Sequence, residues 1–471
     1  MKYCTGIFLL LFGLFAAAQD GYEIKVTLKP FQNQYIYLGH YYGRQLPIID
    51  SVKVNAQSVG VFKGATKLGG GIYLIGYPDR SRHFEVVIDK TQKFSVAVDT
   101  TNPEVVMFAG SPENAAFTSY QSFMNKQGKA LDDLAKQRQA HPTDSVQLTS
   151  KMTALQQDVK HFRNDVMTKD ENSLLSLILK MMRDPEVPQA TNAKQDSLFA
   201  YKYFKTHYWD GVNFYDDRLV RTPVFEPKLD KYFEQIVYPD ADSVNKELDW
   251  MLGYASANAE MQKFLLIKFV NRYLSQKYMW EDAVFVHLFD TYFNGKSYPW
   301  LNEESKKIIT DRAYSLMANI MGHPAADIEL PDTSGKKTSL YNVQAPYTLV
   351  AIWDPTCGHC KEIIPRLDSL YQARWKNMGI KLFGMAKETD GNKDLWLSFI
   401  HAHKLGDWTH VWYSKEADKA RTDAGVPGYS QLYDVQSFPT LYLLDKDKRI
   451  IAKKVTESQV DEILAIKQKQ H

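Results

Sequence analysis

Two cysteines, Cys357 and Cys360, stand three positions apart directly after the apolar run Tyr347 to Trp353 and the turn residues Asp354-Pro355-Thr356. A short apolar run closed by a turn reads as a buried strand, and the residues from Cys360 to about Trp375 carry helical spacing. The pair therefore sits where a strand turns into a helix. The only other cysteine of the 471 residues is Cys4, so the widely spaced framework that staples small exported domains is missing. A zinc site would want two further ligands at metal spacing, and the sequence offers no such pattern.

Strand and helix continue to alternate beyond the pair. Strands are expected at Ile380 to Met385, Thr409 to Tyr413, Thr440 to Leu444 and Ile450 to Lys454, with helices around Lys393 to His403, Glu416 to Ala424 and Glu457 to Lys467. A polar hairpin from Ile328 to Leu340 precedes them. This order gives an α/β sheet covered on both faces.

A chain of 471 residues has room for about three domains. From Tyr22 to Phe108, period-two runs recur at Glu23 to Leu28, Tyr35 to Leu38, Ser51 to Val54, Val59 to Phe62, Gly71 to Ile75, His83 to Ile88, Phe94 to Val98 and Val105 to Phe108. They predict an all-β antiparallel sandwich or barrel. Gly69-Gly70-Gly71 reads as a turn rather than as a ligand loop, since phosphate-cradling glycines would follow a strand and open a helix. Near Gly110 the pattern changes, and Ser111-Pro112-Glu113-Asn114 supplies a serine cap and a proline at the first helical position. Apolar residues at helical spacing through Phe117 to Leu134 and Met152 to Val166 predict an antiparallel helical hairpin with His141-Pro142 in its connection. Further helices are expected at 173–182, 194–208, 244–253, 258–276, 281–292 and 302–321, which makes the centre all-α. The aromatic and acidic connection from Tyr208 to Phe225 reads as packing rather than as a metal loop, because His207 and its aspartates match no ligand spacing.

Lys2, the apolar run Ile7 to Phe15 and Ala16-Ala17-Ala18 form a signal-peptide pattern, with cleavage expected before Gln19. The run is too short to span a bilayer. Cys4 precedes it, whereas a lipid-bearing cysteine would follow it. A periplasmic protein exported by a cleavable signal peptide is the expectation. The formal net charge is +2, with no basic block to follow a phosphate backbone, so nucleic acid is not an expected partner. No cofactor or metal is called for.

A cysteine at a helix N-terminus meets unpaired N–H groups and the positive end of the macrodipole, which stabilise a thiolate, while one a turn further in is placed to resolve. Cys357 is read as the nucleophile and Cys360 as the resolving thiol, since so small a disulfide loop would restrict the unfolded chain little. His359 between them favours the thiolate of Cys357, which makes a disulfide more oxidising; the direction of electron flow stays open.

The stretch from Gly322 onward resembles the TlpA/ResA branch of the thioredoxin superfamily. Gly322-His323-Pro324-Ala325 leads in, Ile352-Trp353-Asp354-Pro355-Thr356-Cys357-Gly358-His359-Cys360-Lys361 is the active-site run, Pro365 the helix-kinking proline, and Ser437-Phe438-Pro439-Thr440 the cis-proline segment. The resemblance implies a thioredoxin fold, working roles for Cys357, Cys360 and Pro439, protein thiols and disulfides as substrates, and a membrane thiol reductant of the DsbD or CcdA type. It also implies a buried acid that manages the proton of the resolving thiol, for which Glu388 is favoured over Asp354. Thr356 replaces the usual tryptophan before the first cysteine. The earlier regions resemble the β-rich and helical companions of such domains in Gram-negative bacteria.

The expected chain is thus multidomain: signal peptide over 1–18, β-sandwich-like domain over 19–110, α-helical domain over 111–321 and thioredoxin-like domain over 322–471. Two rivals remain. A thiol peroxidase on the same fold would want Pro-x-x-x-Thr-x-x-Cys, but Thr356 abuts Cys357; a binding or scaffold protein would use its accessory domains to recognise a partner.

Overall fold

The computed structural model describes residues 21–102, 105–189 and 196–469. The segment read as a signal peptide, with Cys4 inside it, lies outside them. The chain divides into two compact units, one reaching Val237 and including Met251–Phe264, the other formed by Tyr238–Trp250 and the residues from Leu265 onward.

The first unit opens with β1 (Tyr22–Lys29), β2 (Tyr35–His40), β3 (Ile48–Lys53), β4 (Val59–Gly64), β5 (Gly71–Gly76), β6 (His83–Ile88), β7 (Lys93–Asp99) and β8 (Val106–Ala109). Alternation works as the period requires: Ile24, Val26 and Leu28 are buried, while Glu23, Lys25 and Lys29 are exposed. The strands form two four-stranded sheets, ordered β4-β1-β7-β8 and β3-β2-β5-β6, and one hydrophobic core draws on both. Neither closes into a barrel. The expected all-antiparallel pairing is corrected at β1 and β7, which run parallel with Ile24 opposite Phe94. Parallel neighbours need a long crossover, and strands β2 to β6 supply it. Strand β3 starts at Ile48 rather than near Ser51, because Ile48 and Ile49 are exposed on an edge strand and give no alternating signal.

The three glycines are not a ligand loop. A Cβ on Gly69 would lie 2.5 Å from the Arg221 guanidinium carbon, one on Gly70 would lie 2.7 Å from Arg218 Cγ, and one on Gly71 would lie 2.3 Å from Arg221 Cβ. The stretch is clearance for two arginines, of which Arg218 pairs with Asp89 and Asp216, and Arg221 with Asp217.

Ser111 caps α1 (Pro112–Ala140) by accepting the Asn114 N–H at 3.2 Å. Helix α2 (Ser145–Lys169) returns beside it, with the Phe123 and Phe162 rings stacked at 4.0 Å. Next come α3 (Leu174–Met182), α4 (Asp196–His207) and α5 (Phe225–Lys231). The aromatic connection between α4 and α5 packs inward, burying Tyr208, Trp209 and Phe214. Helices α6 (Ala241–Ala255) and α7 (Ala259–Leu274) contribute residues to both units. Among the described residues, no helix is long and apolar enough to cross a membrane.

The second unit adds α8 (Glu281–Leu288) and α9 (Glu303–Met317), then β9 (Glu329–Pro331), β10 (Lys337–Ser339), β11 (Tyr347–Trp353), α10 (Gly358–Leu370), β12 (Ile380–Lys387), α11 (Lys393–Ala402), β13 (Thr409–Tyr413), α12 (Lys415–Asp423), α13 (Tyr429–Leu432), β14 (Thr440–Asp445), β15 (Ile450–Lys453) and α14 (Glu457–Lys469). Its sheet runs β13-β12-β11-β14-β15, with β11, β12 and β13 parallel and the other two pairings antiparallel. Central β11 shows why its sequence is apolar throughout. Leu349, Ala351 and Trp353 enter one core with Cys360, Ile364 and Leu367 of α10, while Val350 and Ile352 enter the opposite core with Phe383, Met385 and Tyr442.

A buried ion pair ties the helical segment to the edge of this sheet. Lys453 on β15 and Asp282 on α8 are 2% and 3% exposed and in direct contact. The Lys453 ammonium also donates to the Asn319 backbone oxygen at 2.6 Å and to its side-chain oxygen at 2.8 Å, and the Lys453 N–H reaches the Met279 sulfur at 3.2 Å. Helices α8 and α9 therefore pack with the α/β sheet. Burial raises the Asp282 pKa and lowers that of Lys453, so desolvation outweighs the attraction for both groups. Lys453→Met is expected to destabilise this unit by roughly 3–5 kcal/mol in chemical denaturation, because Asp282 is left buried and unpaired, whereas Lys453→Met with Asp282→Leu recovers most of the loss.

Candidate functional site

Strand β11 delivers its last residue, Trp353, fully buried, and the turn Asp354-Pro355-Thr356 brings the chain to Cys357 at the N-cap of α10. The first N–H groups of a helix lack intrahelical partners. Here the Cys357 sulfur accepts one of them, from Cys360 at 3.3 Å, and lies 3.7 Å from the Phe438 carbonyl oxygen. The Phe438–Pro439 peptide is cis, as the resemblance implies, and the Phe438 carbonyl lies beside the Cys357 sulfur just before β14. His359 is exposed on the first turn of α10, and Pro365 lies inside the helix.

The two thiols differ sharply in environment. Cys357 is half-buried; Cys360 is fully buried in the core beneath α10. Burial is the main cause that lifts the Cys360 pKa well above the ordinary thiol range. A main-chain hydrogen bond at Asp354 opposes it, and the hydrogen bond and charge of Cys357, with the charge of Asp354, add to it.

Asp354 lies on the turn just before Cys357, and its charge is felt at Cys360. It is 5% exposed, and its Oδ1 accepts the Thr356 N–H and the Thr356 hydroxyl, each at 2.7 Å. Its Oδ2 accepts the hydroxyl of Thr389, and the two threonine hydroxyl oxygens are 3.5 Å apart. Glu388, favoured from the sequence, bonds at a different element. Strand β12 runs two residues further than its apolar pattern, the Glu388 N–H bonds the Tyr413 oxygen at 2.9 Å, and its carboxylate accepts the Lys415 N–H at 3.0 Å at the start of α12. The Thr389 contact escaped the sequence, since nothing in a hydroxyl 35 positions from Asp354 announces it. Among the described residues no cluster of three His, Cys, Asp or Glu side chains is arranged for a metal ion.

Residues 321–453 match the AhpC/TSA family and 135–319 match a domain of unknown function, DUF5106. The C-terminal region is an AhpC/TSA thioredoxin-like domain. It is homologous to ResA thiol-disulfide oxidoreductases: the protein of that name from Bacillus cereus is 23% identical over 149 residues, covering 32% of this chain and 78% of the relative. A domain of a possible thiol-disulfide isomerase from Cytophaga hutchinsonii is 33% identical over 32% of this chain and 94% of that one, with a TM-score of 0.28. A thioredoxin-like protein from Bacteroides caccae is 21% identical over 60% of this chain and 98% of its own, with a TM-score of 0.43.

The contrast in burial has a direct chemical readout. In the reduced protein at about pH 8, near the ordinary thiol range, iodoacetamide is expected to label Cys357 and not Cys360. Because an acid of raised pKa keeps its proton as pH climbs, Cys360 in a Cys357→Ser variant should stay unlabelled until the fold is opened with denaturant; mass spectrometry reads both.

Proposed function

We propose that this chain is a periplasmic thiol-disulfide oxidoreductase, exported by its signal peptide, that exchanges disulfides with protein clients through Cys357 and Cys360 as a reductase or isomerase. The observation that carries this reading is the asymmetry of the pair: a half-buried sulfur at a helix cap beside a fully buried one three residues on. Helix geometry favours attack by the first, and burial keeps the second protonated until it is needed.

In the reductive direction the Cys357 thiolate attacks a client disulfide, forming a mixed disulfide and releasing one client sulfur as a thiolate, which takes a proton from solvent. Cys360 then attacks Cys357 Sγ. The Cys357–client bond breaks, the client leaves with both sulfurs reduced, and Cys357 and Cys360 close an intramolecular disulfide. Asp354 receives the proton of Cys360 in this step. His359 on the first turn adds a positive or polar neighbour to the thiolate of Cys357, and the segment at Pro439 offers backbone groups for pairing with an extended client. A membrane thiol reductant of the DsbD or CcdA type returns the pair to the dithiol.

A thiol peroxidase is disfavoured because the hydroxyl of Thr356 turns inward to Asp354. Purified protein is expected to catalyse reduction of insulin by dithiothreitol, and Cys357→Ser to fall to the uncatalysed rate. Cys360→Ser should accumulate client proteins disulfide-linked to Cys357, resolved by non-reducing electrophoresis. Undiminished turnover by Cys357→Ser would remove the proposal.

A further inference from the structure

In the resolving step proposed above, Asp354 takes a proton in a place nearly closed to solvent, being 5% exposed. A carboxylate offers about four acceptor sites, and Oδ1 is filled by the Thr356 N–H and hydroxyl. On Oδ2 the Thr389 hydroxyl takes one site and leaves the other open for an incoming proton. With Asp354 buried and Cys357 covered by the client in the mixed disulfide, that proton needs an exit. Thr389 supplies it: it sits on the loop between β12 and α11, is only partly buried, and touches both Asp354 and the hydroxyl of Thr356.

The geometry assigns Thr389 as a positioning and proton-relay residue, whose hydroxyl carries the proton of the resolving thiol from Asp354 Oδ2 to solvent. The inference rests on the oxidoreductase reading above. Cys360 gives its proton to Oδ2 as its sulfur bonds to Cys357 Sγ and the client thiolate departs. The protonated acid then donates to Thr389 Oγ, while Thr389 passes its own proton to water or to a buffer base. No electrons move in the relay, and Asp354 returns to the carboxylate. The loop is shaped for this contact: a Cβ on Gly391 would meet the Thr356 methyl at 2.8 Å, so only glycine lets the segment close on the turn before the nucleophile.

Single-turnover reduction of a peptide disulfide by the full-length reduced protein, quenched in acid and read by mass spectrometry, separates formation of the mixed disulfide from its resolution. Thr389→Val, which keeps shape and removes the hydroxyl, should form the mixed disulfide at the wild-type rate and resolve it about tenfold or more slowly, within the span of general acid–base effects. Thr389→Ser should restore resolution, and the equilibrium constant with glutathione should stay at the wild-type value in both variants. Wild-type resolution in Thr389→Val overturns the relay, as does a serine variant as slow as the valine one. So does an equilibrium constant that shifts by the same factor as the rate, since Thr389 would then act on the stability of the dithiol. If the wild-type protein itself forms no mixed disulfide, the oxidoreductase reading fails instead.

Discussion

Helix α10 has to begin on something that accepts a hydrogen bond, and it begins on a sulfur. The Cys357 side chain takes the Cys360 N–H, the role that serine or aspartate plays at other helix starts. One contact thus satisfies a helix N–H and sets the Cys357 sulfur at the positive end of the macrodipole. The same helical turn sends Cys360 down into the core. A half-buried sulfur and a fully buried one are therefore produced by one local geometry, and the rest of the unit serves to hold that turn still.

Strand β11 is the first support. Its side chains enter a core on each face of the sheet, so the strand cannot slide without exposing one set, and its end at Trp353 sets where the turn falls. Asp354 is then trapped beneath the turn by Thr356 and Thr389. On the far edge of the sheet, β15 is held by the buried contact of Lys453 with Asp282, so helices α8 and α9 are part of the body that carries the thiols.

Much of this was legible in residue order, and the reasons are local. The burial of β11, the Ser111-Pro112 helix start, the hairpin around His141-Pro142 and the alternation after Cys360 all follow from patterns spanning fewer than about a dozen residues. The misreadings come from features without a local signature. The parallel neighbours β1 and β7 are separated by five intervening strands. Edge strand β3 begins with two exposed isoleucines, and the clearance at Gly69 to Gly71 is set by Arg218 and Arg221, some 150 positions away. Strand β12 runs two residues past its apolar pattern, which brings Glu388 to the start of α12; element boundaries are where periodicity is least informative. The cysteine pair itself needed only the sequence, whereas its hydroxyl-lined acid needed the fold.

Reversible exchange of electrons between the Cys357–Cys360 pair and foreign thiols is the claim on which the functional reading stands. Equilibrating the purified protein across a series of glutathione redox buffers, with acid quench and mass analysis, tests it directly. The pair should pass through one reversible two-electron transition between dithiol and disulfide, reached equally from the reduced and the oxidised protein. A pair that keeps its starting state across the series, or that exchanges only after unfolding, would contradict it.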